Sequence, residues 1–376
     1  MDNAATTRVT ETVLQAMLPY FTENYGNPSS LHGWGQAARR ALNRARAQAA
    51  GAINARAEEI LFTSGGTESD NWAIRGAAHA NAARGRHIVA TAIEHHAVLN
   101  ACRRLEGEGF EVTYLAPDAD GLIAPEALAA ALRPDTALVS VMLVNNEIGV
   151  IQPVQALAAL AHGAGALFHT DAVQAVGHLP VDVQALGVDL LSLSGHKLHA
   201  PKGVGALYVR QGTRIDRLLE GGEQERGLRP GTENLPAIVG LGAAMAEAAA
   251  NLEARAARIQ ALRDHLIGRI LSEIPGARLN GHPTRRVCGN VSVAFEGIVG
   301  PALLPRLDLC GIAASAGPAC AAGTPEVSHV LTAIGLDEPL ARSAVRLSLS
   351  EENTLQEVDY VADSLRQIVR ELHQPR

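Results

Sequence analysis

Cysteine is scarce in this chain. Its four residues, Cys102, Cys288, Cys310 and Cys320, are scattered through 376 positions with no C-x-x-C pair among them. Spacing of that kind fits neither a zinc ribbon nor a disulfide scaffold. Positive charge is not in excess either: 39 Asp and Glu against 32 Lys and Arg leave a net charge of −7, and no basic run breaks the pattern. Nucleic acid is therefore not an expected ligand. No apolar run reaches the about 20 residues that span a bilayer, so no membrane segment is expected. Met1-Asp2-Asn3 shows no basic region leading into an apolar one, so export is not expected. These exclusions leave a cytoplasmic protein with reduced thiols, in which a special cysteine is chemical rather than structural. With 47% hydrophobic and 19% charged residues the chain is globular, and at this length it exceeds one compact domain.

From Glu59 to Arg210 short β-branched runs alternate with Ala-rich helical stretches. The runs Ile60–Thr63, His87–Ala92, Glu111–Leu115, Ala137–Val144, Ala166–Asp171, Leu190–Leu193 and Gly205–Val209 read as strands. Glu126–Leu132 and Val154–His162 carry apolar residues at helical spacing between them. That alternation predicts an α/β fold with a mostly parallel sheet covered on both faces, with ligands gathered beyond the carboxyl ends of its strands. After Pro236 a long helix, broken once, runs to about Ile274. Strands Asn290–Phe295 and Ala344–Leu349 and a last helix Leu355–Leu372 follow. The expected division is a large domain over 15–250 and a smaller α/β domain formed by 1–14 with 251–376.

Three features could carry chemistry. T-S-G-G-T-E-S-D-N, Thr63 to Asn71, sits between a strand and a helix. Its glycines let backbone N–H groups approach an anion at a helix start, although a turn capped by Thr67 or Ser64 explains it equally well. It is not a nucleotide P-loop, since no G-K-[ST] follows. S-G-H-K, Ser194 to Lys197, closes another strand; a lysine desolvated there becomes an amine nucleophile, whereas a surface charge is the plain alternative. Asp171, closing the preceding strand, is an acid in a buried setting that needs a cationic partner. A phosphate cradle, an amine and a buried carboxylate on neighbouring strand ends are the contacts that pyridoxal 5'-phosphate requires.

These motifs occur with others in a fixed order: D-N-A-A-T-T from Asp2, G-N-P-S-S-L-H from Gly26, E-H-H-A-V-L from Glu94, V-N-N-E-I-G from Val144, D-A-V-Q from Asp171, R-G-L-R-P-G-T from Arg226 and a cysteine loop around Cys320. In this the chain resembles the NifS/IscS-type cysteine desulfurases, fold type I pyridoxal-phosphate enzymes of the class V aminotransferase group, over nearly its whole length. The resemblance implies a mostly parallel seven-stranded sheet plus the smaller C-terminal domain. It makes Lys197 the Schiff-base lysine and Asp171 the partner of the pyridine nitrogen. Gly66, Thr67, Ser194 and His196 become phosphate ligands, Asn146 and Gln174 partners of the phenolate oxygen, and His95 the ring that stacks on the cofactor and handles protons. Arg346 becomes the fork for the substrate carboxylate, with Asn146 beside it. Thr232 matches a residue that reaches the phosphate of a neighbouring subunit, so a homodimer is implied.

The remaining piece is S-A-G-P-A-C-A-A-G-T-P from Ser315, whose turn-formers around Cys320 read as a mobile loop carrying a nucleophile. Cys102, Cys288 and Cys310 read as small hydrophobes. The implied reaction takes sulfur from L-cysteine, leaves L-alanine and loads a persulfide on Cys320 for an acceptor protein in iron–sulfur cluster assembly or tRNA thiolation. Two departures stand out: Gly317-Pro318 before Ala319-Cys320, where the family places a polar residue, and Ser350-Glu351, where it has Gly-Arg. A selenocysteine lyase or other class V enzyme would share the cradle, and an accessory protein could keep the fold without turnover. The histidine pairs His95-His96 and His196/His199 raise the idea of a metal, but zinc would call for helical i, i+3 or i+4 pairs with a nearby acid and His199 sits just before Pro201, so no metal is expected.

Overall fold

The computed structural model describes residues 1–298, 302–316 and 327–373. Seven short strands build the larger sheet, with every or nearly every residue buried in all but the edge strand β3: β1 (Ile60–Thr63), β2 (His87–Thr91), β3 (Glu111–Leu115), β4 (Thr136–Ser140), β5 (Leu167–Asp171), β6 (Leu190–Ser194) and β7 (Gly205–Val209). Continuous apolar runs such as Leu138-Val139 and Leu190-Leu191 are what a strand covered on both faces requires. The order is β1-β7-β6-β5-β4-β2-β3; β7 alone runs against its neighbours, and the other pairs are parallel. The carboxyl ends of β1, β6, β5, β4 and β2 therefore meet at one edge, which is where such sheets bind ligands.

The expected strand Ala137–Val144 stops at Ser140, yet its run stays beside β5: the N–H groups of Val141 and Leu143 donate to the carbonyls of His169 and Asp171. The helical run after Gly66 contains a wider turn over Trp72–Gly76. That turn keeps Trp72, Ala73 and Ile74 buried together with Ala77 and Ala78, while the Trp72 indole N–H donates to Asp216 O at 2.8 Å.

The long helix is two helices, Leu235–Ala250 and Leu252–Glu273, meeting at Asn251 with a bend of 75°. The first packs on the Ala-rich helix Gly33–Ala52 within the larger core. The second, with the helix Leu355–His373, covers a smaller antiparallel sheet of β8 (Ala277–Leu279), β9 (Asn290–Phe295) and β10 (Val345–Ser348), ordered β10-β9-β8. Among the described residues no single helix is long and apolar enough to cross a membrane. One strip of chain joins the two cores: Asp2 bridges Ser348 of β10, and five residues on the Thr7 N–H donates to the carbonyl of His196 at the end of β6.

Candidate active site

At the strand-end edge the chain between β1 and its helix turns sharply through Gly65, whose φ of 151° is open to glycine. Gly205, at the start of β7, lets that turn lie against the sheet, since a Cβ there would meet the Gly65 Cα at 2.7 Å. Neither Ser64 nor Thr67 caps the helix. Glu68 reaches back instead to the Ser64 N–H and is held by Arg229, leaving Gly66 and Thr67 on the wall of a cavity of about 180 Å³.

Strands β5 and β6 supply the floor. Asp171 closes β5 and is buried, accepting from the Val173 N–H at 2.9 Å. Burial lifts its pKa to about 6, against the pull of that N–H and of Lys197. Ser194 ends β6, and the next turn carries His196 and Lys197. The Lys197 ammonium donates to the carbonyls of Ala4 and Ala5 at 2.6 and 2.7 Å, and Gln174 donates to Ala4 O at 3.0 Å. His95 begins the helix His96–Glu106, its Nδ1 accepting from the Ala97 N–H. Burial, then His96 and Lys197, push its pKa down to about 4, so the ring is neutral. His196 is lowered to about 4 in the same way, by burial and then by Lys197 and Lys202.

Arg346 enters from β10. Its guanidinium is 2% exposed, donates to Asn146 O at 2.7 Å and pairs with Asp2 at 3.3 Å, while its Nε has no partner among the described residues. Asp2 in turn accepts from the Ser315 hydroxyl. Asn146 and Arg346 line the cavity with the strand-end residues.

The fold thus brings together Gly66, Thr67, His95, Asn146, Asp171, Gln174, Ser194, His196, Lys197 and Arg346, residues from the whole length of the chain. Thr232 does not join them; it lies exposed on the loop before the helix Leu235–Ala250. Cys320 lies outside the described residues. Cys102 and Cys288 are buried; burial pushes the Cys102 thiol up to about 12 and raises Cys288 too. Five residues escaped the sequence reading: Ala4 and Ala5, through their carbonyls, Met142, Val173 and Asp70. For Asp70 a signal existed, since it follows Gly66 by four residues and so shares its helix face. Backbone carbonyls have no such signature.

An amine, a buried carboxyl, a hydroxyl- and amide-lined cradle and a neutral imidazole wall suit a phosphorylated pyridine aldehyde. Over residues 1–361 the sequence matches the aminotransferase class-V family. It is 53% identical over 372 residues to cysteine desulfurase IscS of Methanosarcina thermophila, covering 99% of this chain and 92% of that one.

The chain belongs to the cysteine desulfurase branch of the class V aminotransferases.

Solved structures of the same group superpose closely. A NifS-like protein matches with a TM-score of 0.92 at 39% identity, covering 99% of both chains. SspA in complex with cysteine matches at 0.83 and 38% identity, covering 94% of this chain and 99% of that one. The family depends on pyridoxal phosphate, and the residue set of this cavity fits that group.

Proposed function

We propose that this chain is a cysteine desulfurase: it binds pyridoxal 5'-phosphate in the strand-end cavity, takes sulfur from L-cysteine and releases L-alanine. The observation that carries the reading is that Lys197, Asp171 and Arg346, an amine, a carboxyl and a guanidinium drawn from the turn after β6, the end of β5 and β10, face one cavity. Gly66, Thr67, Ser194 and His196 would hold the phosphate, Asn146 and Gln174 the phenolate oxygen, and Lys197 the aldehyde carbon. When bound, the cofactor supplies an electron sink for a carbanion at the substrate Cα. Asp171 keeps the ring nitrogen protonated, and Arg346 takes the substrate carboxylate with its fork. Lys197 would move the Cα proton, and the neutral His95 would relay the thiol proton.

The Cys320 thiolate attacks the substrate sulfur. An S–S bond forms as the Cβ–S bond breaks, and the electron pair stays with the three-carbon fragment, which takes up protons to become alanine. The persulfide then passes to an acceptor protein in the cytoplasm, a scaffold for iron–sulfur clusters or a thiolation enzyme. Thr232, exposed and away from the cavity, suits a second copy of the chain to which it lends a phosphate ligand. The same reading divides the chain near the Asn251 break into a large cofactor-binding domain and a small domain bearing Arg346 and the cysteine loop.

The test is a spectrum followed by an assay. The protein should show the visible band of lysine-bound pyridoxal phosphate and form alanine from cysteine, with sulfide released from the persulfide by an added thiol reductant. Lys197→Ala should lose the band, while Cys320→Ala should keep it and lose sulfide. Full sulfide release by Cys320→Ala would instead point to a lyase that frees the chalcogen directly, and preference for selenocysteine would identify which.

A further inference from the structure

Under the cavity floor lies a row of buried polar groups for which the desulfurase reading has no task. The Ser140 hydroxyl on β4 meets His169 Nδ1 on β5 at 2.9 Å, and His169 Nε2 meets the Ser192 hydroxyl on β6 at 3.0 Å. The same Nε2 lies 3.7 Å from Asp70 Oδ1. Asp70 is 1% exposed, lines the cavity, and its Oδ1 has no hydrogen-bond partner among the described residues. Glu94, buried after β2, faces the cluster as well; its Oε1 accepts from Thr91 and from the Met142 N–H.

Two buried carboxyls, Asp70 and Asp171, thus line the cavity, and a third, Glu94, lies buried behind them against Thr91 and Met142. Like charges this close in a low-dielectric interior cannot all ionise. The donors decide which one does. Asp171 has the Val173 N–H and the attraction of Lys197; Asp70 has only the Ser192 hydroxyl and the neutral ring of His169.

We propose that Asp70 is a positioning residue that confines the single negative charge of this cluster to Asp171, on the side where the cavity receives a pyridine ring. The proposal rests on the cofactor assignment above. Burial, then the neighbouring Asp171, holds the Asp70 carboxyl well above the usual range, and burial takes Glu94 to about 8 and His169 down to about 3. Glu94 and His169 are then neutral near pH 7, and Asp70 is driven toward its neutral form. A neutral acid at position 70 offers Asp171 a polar neighbour without a competing charge, and the Ser192–His169–Ser140 chain fixes the geometry.

The test compares Asp70→Asn, which mimics the neutral acid, with Asp70→Leu, an apolar residue of similar size. The readouts are the dissociation constant of pyridoxal phosphate for the cofactor-free protein and the pH midpoint of its visible band, neither of which needs turnover. Asp70→Asn should keep both close to wild type. Asp70→Leu should bind about tenfold more weakly and move the midpoint by about one pH unit, the size of one charged group's changed surroundings. Unchanged values in Asp70→Leu, or an equal shift in Asp70→Asn, would overturn the proposal. If the leucine variant does not fold, Asp70→Asn decides alone, because a shift of about one unit there means that residue 70 is charged. A wild-type protein that takes up no pyridoxal phosphate would defeat the cofactor assignment instead.

Discussion

The cavity has two unlike walls. One is the strand-end wall of the larger sheet, where Asp70, Asp171, Ser194 and His169 are almost wholly buried and packed among continuous apolar strands. The other is assembled across the molecule from Ala4 and Ala5, whose carbonyls hold Lys197, and Arg346, which pairs with Asp2 behind it. The sheet wall controls charge: burial raises its acids, lowers its imidazoles and leaves Asp171 poised at about 6. On the proposed reading the other wall would control capture, because its guanidinium is already drawn toward a carboxylate, Asp2, and would exchange that neighbour for a substrate carboxylate. One wall owes its chemistry to desolvation and the other to replaceable partners, so the two should fail differently.

The largest effect is expected on the sheet wall. Removing one member of a buried charge pair costs about 3–5 kcal/mol. Asp171→Asn should therefore lower alanine formation by about 10²- to 10⁴-fold, and the loss should not be recovered at high cysteine concentration. The sign of its pH dependence follows from a raised carboxyl: Asp171 takes up a proton as pH falls through about 6, so the unliganded protein should lose affinity for pyridoxal phosphate across that range. Titration calorimetry from pH 5 to 8 would show it; an affinity flat with pH would mean that Asp171 does not carry the charge.

On the second wall a milder and different failure is expected. Hydrogen bonds to a charged group are worth about 1.5–3 kcal/mol, or about ten- to a hundredfold. Arg346→Lys keeps a cation but loses the planar fork, so KM for cysteine should rise by that factor while the cofactor band stays in place. A fall in cofactor affinity instead would show that Arg346 serves the sheet wall as well.

The same division explains what could be read beforehand. Asp171 and Lys197 were legible because Asp171 closes one apolar run and Lys197 follows another, and strand ends are where an α/β sheet places its chemistry. Asn290–Phe295 was legible for its alternation, and the bend at Asn251 is where the Ala-rich helix gives way to charged residues. The Ala4 and Ala5 carbonyls on Lys197 were not, since any residue supplies a carbonyl and the contact spans more than half the chain. Nor was the state of Asp70. Its helical spacing from Gly66 marks the face, but only the fold reveals that Asp171 shares its pocket.

Glu351 tests whether the second wall depends on electrostatics beyond Arg346. Where relatives place an arginine, this carboxylate lies 3.5 Å from His199, two residues past Lys197; His199 also holds the N-terminal strip, its N–H donating to Thr7 and its ring meeting the Arg8 carbonyl. His199 lowers Glu351 to about 2, and Glu351 raises His199. The pair's contribution is present above the ordinary glutamate range and lost as pH falls through about 2. It is also present below the ordinary histidine range and lost as pH rises through the raised value. Partial exposure limits it to about 0.2–1 kcal/mol. Glu351→Gln should therefore lower unfolding stability slightly in denaturant at pH 5.5 and converge with wild type in alkali, with cofactor affinity unmoved. A difference that persisted or grew in alkali would mean that Glu351 acts through a partner other than His199, and the nearby Arg255 would be the one to test next.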